Sequence, residues 1–271
     1  MLKRLLGLSI PFGILLGGSA LFAQDSDTPA TPSTETTQAH WFRVERSDQT
    51  AGVLKVELSR DDNSWIFVET WILFERDREI LIQGESRFAG EGEKIRPTSL
   101  SVTVSAGEET WLNGALRFTP KGVTESFRHW DGEKLADVVE RKHPISEEPW
   151  VTPATLPFLG PEIANEGNDV AVVFPAMPRG LRGPVIGGTE SHYLLTRKGK
   201  SIRVRGNRAI DGRTAELELV DGRCERIELS PSLKLVRSDR ATCLSWHRKR
   251  GKGGDVLDEN PAPPPPKPLD G

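Results

Sequence analysis

The sequence predicts an all-β, antiparallel protein with one proline-rich crossover in its middle. Three observations carry this. Short segments along most of the chain alternate apolar and polar residues with period two. Turn residues punctuate them at the close spacing of a β-meander. Between residues 144 and 167 the proline density limits any helix to about one or two turns.

The 271-residue chain opens on MLKRLLGLSIPFGILLGGSALFAQ. Lys3 and Arg4 form a basic start, Leu5 to Phe22 an apolar stretch, and Ala20 or Ala23 ends a run of small residues suited to cleavage. This is the pattern of a secretory signal peptide over residues 1–23. The stretch is also about long enough to span a bilayer, so an uncleaved anchor is the competing reading; Pro11 and the Gly17-Gly18 pair favour cleavage. Export to the periplasm or cell surface is the expectation. Residues 24–39 (QDSDTPATPSTETTQA) are too polar to bury surface and read as a disordered spacer. Residues 248–271 read as a second one, a Pro-rich tail with polyproline II character. The basic run from His247 to Lys252 reads as solvated charge, with contact to anionic lipid as the alternative. One β domain over residues 40–247 remains.

Within it, HWFRVER and AGVLKVELSR flank the polar turn SDQT, and Asp61-Asp62-Asn63-Ser64 is turn chemistry again. WIFVETWILFERDREILIQGESRF then gives two strands about a charged turn. Its first strand is apolar on both sides: Trp65, Phe67, Trp71 and Leu73 point one way, Ile66, Val68, Ile72 and Phe74 the other. A strand with one wet face alternates instead, so this one is covered twice. TSLSVTVSAG, EETWLNGALRFT and KGVTESFRHW continue the meander to Asp131-Gly132, a tight-turn dipeptide. EKLADVVERKH has Leu135, Val138 and Val139 at helical spacing, with a strand as the alternative. Thr152-Pro153 is a helix-start signal. Strands resume at DVAVVFPAM and run from Ser191 to His247, with hairpin turns expected at Asp211-Gly212 and Asp221-Gly222.

The composition excludes several functions. Loss of Lys3 and Arg4 lowers 36 basic residues to 34 against 39 acidic, a formal net charge of −5. Nucleic acid is therefore no expected partner, because phosphate binding needs a basic surface. No phosphate loop, dinucleotide glycine pattern, H-E-x-x-H or G-x-S-x-G is present. No cofactor and no metal are expected: His40, His129, His143, His192 and His247 show no ligand spacing. The chain reads as no enzyme. Cys224 and Cys243, an even pair in an exported chain, read as a disulfide between neighbouring strands. The seven tryptophans read as core, or as aromatics lining a pocket.

The order of features resembles exported bacterial proteins of uncharacterised function that share the incomplete β-barrel of the periplasmic lipoprotein carriers. The residues that carry the resemblance are the aromatic-led Trp41-Phe42-Arg43-Val44, then Ala51-Gly52-Val53, the long strand pair, the crossover Pro153-Ala154-Thr155-Leu156, and Asp221-Gly222-Arg223. The resemblance implies a strongly curved half-barrel, plugged by short helices or by the crossover, whose concave face lines a cavity. Trp65, Phe67, Trp71 and Leu73 are then the ligand-binding candidates, and the expected ligand is a lipid or another apolar small molecule. The alternative is a structural or interaction protein of the cell envelope, with a filled core and an envelope protein as partner. A cavity face would make one set of residues in Trp71–Phe74 cheap to truncate and the other expensive.

Overall fold

A computed structural model describes residues 37–60, 63–75, 78–129, 136–144, 148–174, 191–206, 214–230, 233–250 and 257. The signal-peptide reading, most of the spacer, Asp131-Gly132, Asp211-Gly212 and the proline run lie outside them.

The strands are β1 (Gln38–Arg46), β2 (Gln49–Arg60), β3 (Ser64–Glu75), β4 (Arg78–Ala89), β5 (Arg96–Ala106), β6 (Glu109–Thr119), β7 (Gly122–His129) and β8 (Val139–His143), followed by helix α1 (Leu156–Ile163). After it come β9 (Asp169–Phe174), β10 (Ser191–Lys198), β11 (Ser201–Gly206), β12 (Thr214–Val220), β13 (Arg223–Ser230), β14 (Leu233–Ser238) and helix α2 (Arg240–Arg250). All fourteen strands form one open antiparallel sheet in the order β8-β7-β6-β5-β4-β3-β2-β1-β14-β13-β12-β11-β10-β9. Two meanders are thus joined where the last strand pairs with the first, Phe42 opposite Arg237 and Val44 opposite Leu235. The free edges, β8 and β9, come from the middle of the sequence, on either side of α1.

The sheet curls around that helix. Phe158 of α1 meets the ring of Phe67 on β3 at 5.7 Å, and the same short helix packs on β13 and β10. In a flat sheet β3 and β10, seven steps apart, would be roughly 33 Å from each other, whereas eight helical residues span only about 12 Å. The all-β, incompletely closed, plugged architecture read from the sequence is the one observed.

Each face has its own core. On the inner face Leu156, Leu159 and Ile163 of α1 are fully buried against Phe42, Leu54 and Phe67. On the outer face α2 lays Cys243 and Leu244 over Trp41, Val53 and Ile72, and Leu257 joins them at 2 % exposure. The double apolar character of β3 is thereby explained: one side faces α1 and the other faces α2. Gly52 lets β2 approach β3, since a Cβ there would sit 2.5 Å from the Ile72 carbonyl oxygen.

The local chemistry accounts for the ends of these elements. The turn Ser47-Asp48 has both φ values positive, as has Asp221-Gly222, the arrangement that matches hairpin twist. Ahead of α1, the Thr155 hydroxyl accepts the Thr152 N–H at 2.8 Å, the Thr152 hydroxyl accepts the Thr155 N–H at 3.2 Å, and the Leu156 N–H reaches the Thr152 carbonyl. The start signal at Thr152-Pro153 is therefore realised as a capped turn that leads into the helix.

Four sequence expectations change. Residues 139–143 are the strand β8, paired with β7, and not part of a helix. Arg240–Arg250, read as strand and tail, is a helix: the Asp239 carboxylate accepts the Thr242 N–H at 2.8 Å and caps it. Strand β1 begins at Gln38, inside the stretch read as spacer, because Gln38 and Ala39 extend the ladder to Leu58 and Glu57. The fourth correction is the disulfide. Cys224 and Cys243 are both free thiols. Cys224 belongs to the inner core and Cys243 to the outer one, so the thickness of the sheet separates the two sulfurs.

Candidate functional site

The site forms where β1, β13 and β14 meet α1. Alternation sends His40 and Phe42 to the inner face of β1 while Trp41 goes outward. Arg237 lies opposite Phe42 on β14. On β13 a bulge at the level of Glu225 shifts the register, so that Cys224 pairs with Leu219 and points inward although Arg226 pairs with Glu218. From the other side α1 presents Pro157, Phe158 and Pro161. The resulting cleft has a volume of about 450 Å³, within the roughly 300–1000 Å³ range of small-molecule pockets.

Its floor is apolar and its rim is charged. Phe158 packs edge-on to His40 at 4.8 Å and to Phe42 at 6.3 Å between ring centroids. Arg223 and Arg237 stand on the rim with Gln38 and Glu162. Glu162 is held by Arg60 at 3.5 Å, and Arg237 makes a loose pair with Glu225 at 3.6 Å. Among the described residues the buried His40 Nε2 has no hydrogen-bond partner. Burial, with the Arg237 and Arg223 charges added, pushes the His40 pKa down to about 4, so the ring is neutral at physiological pH. Burial pushes the Cys224 thiol up to about 12. It stays protonated, donates to the Arg226 carbonyl at 3.5 Å, and is no nucleophile, since the thiolate is the reactive form.

The four sequence candidates lie together on the inner face of β3, behind this cleft. Trp65, Phe67 and Trp71 are buried at 4, 0 and 7 % exposure, and Leu73 packs half-buried beside them. Trp65 and Phe67 stack nearly parallel at 6.2 Å. The candidates reach the cleft wall through the Phe67–Phe158 contact; the lining itself comes from β1, α1, β13 and β14. One polar group shares their face. Glu69 accepts the Trp71 Nε1–H at 2.8 Å, and its burial holds the carboxyl above the usual carboxylate range. Gly84 lies opposite; a Cβ there would come within 2.8 Å of Glu69 Oε1. The tripeptide Glu-Thr-Trp recurs at 109–111 with the same Trp-to-Glu bond, at 3.2 Å, a repeat visible in the sequence.

Two histidine–carboxylate pairs lie elsewhere: His143 with the fully buried Glu125 at 2.9 Å, and His247 with Glu79 at 3.2 Å beside α2. Neither pair lines the cleft. Among the described residues no three His, Cys, Asp or Glu side chains are placed to hold a metal ion.

Fold and site together define an open antiparallel half-barrel, plugged by a short helix, with one amphipathic cleft beside the plug. In comparisons with protein-family models, curated proteins and solved structures, nothing matches the chain.

Proposed function

We propose that this is a non-enzymatic exported protein that binds a lipid or other apolar small molecule in its half-barrel, as the carriers it resembles do. The observation that supports this best is the cleft itself. A 450 Å³ cleft floored by Phe42, Phe158 and Pro157 opens beside the plug. A protein that only needed a closed core would fill such a gap, because interiors pack densely. The ligand enters beside α1 and rests on Phe42 and Phe158, behind which Phe67 packs.

The test is binding of the neutral apolar dye N-phenyl-1-naphthylamine, read as fluorescence gain. Saturable one-to-one binding is expected. Phe158→Asp, at a half-buried position, abolishes it while circular dichroism remains that of a β protein. Absence of binding, or binding unchanged in Phe158→Asp, refutes the proposal.

The second reading, an envelope structural or interaction protein with a filled core, draws on a different observation. Beneath β3 the inner face is met by the protein's own Phe158, whose ring packs on Phe67. In that case the cleft is only the seam between plug and sheet, and the dye finds no site.

A further inference from the structure

Resting on the binding reading above, we propose that the cleft is built for a single-chain amphiphile with a carboxylate head. The chain lies along Phe42, Phe158 and Pro157, and the head is held by Arg223 and Arg237.

The charge distribution carries this. The protein as a whole is acidic, with a formal net charge of −3, yet the cleft rim places two guanidiniums beside one apolar floor. Arg223 is exposed and has no carboxylate partner among the described residues. Arg237 has Glu225 only at 3.6 Å, so among the described residues donors of its planar fork remain free. Glu162, the carboxylate on the cleft wall, pairs with Arg60 at 3.5 Å. A guanidinium suits a carboxylate because its planar fork matches the two oxygens. His40 lines the same cleft, and among the described residues its buried Nε2 has no hydrogen-bond partner. Burial first, and then the charges of Arg237 and Arg223, lower the His40 pKa, so the ring brings no positive charge of its own to the cleft at neutral pH. Size narrows the choice further. A volume of 450 Å³ is near the lower end of the small-molecule range and suits one chain better than a multi-chain lipid anchor.

The experiment is displacement of bound N-phenyl-1-naphthylamine from the purified protein by three ligands of equal chain length: decanoate, decanol and decylammonium. Decanoate is expected to displace at about tenfold lower concentration than decanol, the ratio for one charge-assisted contact, with decylammonium weakest. In the Arg223→Gln/Arg237→Gln double variant, with its own dye affinity measured first, decanoate and decanol become equal. Nuclear magnetic resonance adds a readout that a merely structural arginine would not move: the His40 titration midpoint rises when decanoate is bound. Equal displacement by decanoate and decanol, preference for decylammonium, a decanoate advantage that survives the double variant, or an unmoved His40 midpoint overturns the carboxylate inference and leaves apolar binding standing. Failure of the dye to bind at all overturns both.

Discussion

Phe67→Ala and Ile72→Ala probe opposite faces of the same strand. Phe67 is fully buried and meets three rings: Trp65 at 6.2 Å, Phe88 at 5.7 Å and Phe158 at 5.7 Å. A buried Phe-to-Ala change costs about 3–5 kcal/mol, and the three ring pairs, at about 0.5–1.5 kcal/mol each, place this one at the upper end. Ile72, also fully buried, sits under α2 with Trp41, Val53 and Cys243, and its truncation costs about 2–5 kcal/mol. Leu73 and Phe74 are half-buried, again one on each face. Half of the roughly 1.5–3 kcal/mol of a fully buried side chain makes each worth about 1 kcal/mol. Cost should therefore follow burial and not face. For a domain of this size about 1 kcal/mol moves the melting temperature by about 2–4 °C, so Phe67→Ala melts roughly 8–20 °C below wild type and Leu73→Ala roughly 2–4 °C below. Urea melts with an unchanged slope would confirm that stability alone has altered. If the Phe67 and Leu73 variants are both cheap while Ile72→Ala is expensive, the inner face is hollow under β3 and the double-cover argument fails.

Three further outcomes follow from single groups. Glu69 has a folded-state pKa raised by burial above its ordinary 4.5; an acid shifted upward favours folding while protonated, and that contribution is lost as pH rises through the shifted value. Glu69→Gln, which keeps an acceptor for the Trp71 N–H, should thus melt higher than wild type at neutral pH and converge with it under acid. The thiols of Cys224 and Cys243 are buried on opposite faces with raised pKa values, so reductant should leave the melting temperature unchanged and a thiol reagent should count two sulfurs only after denaturation; a reductant-sensitive melt would restore the disulfide. Asp239→Ala removes the cap of α2 and should cost about 1 kcal/mol, with faster amide exchange over Thr242 and Cys243; equal exchange would show that packing alone holds the helix.

Much of the sheet was legible because period-two alternation is a direct consequence of strand geometry. The apolar run on both sides of Trp65–Phe74 announced two covers, and the prolines of the crossover announced one of them. The second cover was written in Asp239 and Thr242, cap chemistry that reads as a turn when a strand is expected on either side of it. Val138 and Val139 carried helical spacing too short to outweigh pairing with β7. The cysteines misled because closeness in sequence says nothing about which face each occupies, and the bulge at Glu225 resets that parity. The cleft could not be read at all. His40, Phe158, Cys224 and Arg237 come from four segments that meet only when β14 pairs with β1 and the sheet curls around α1.

The decisive measurement for a small apolar molecule held beside α1 is native mass spectrometry of the protein purified gently from its own host. One adduct per chain, released by organic solvent and absent from Phe158→Asp, is the predicted result. A bare mass for the wild-type chain, with no adduct regained on incubation with decanoate, would contradict it.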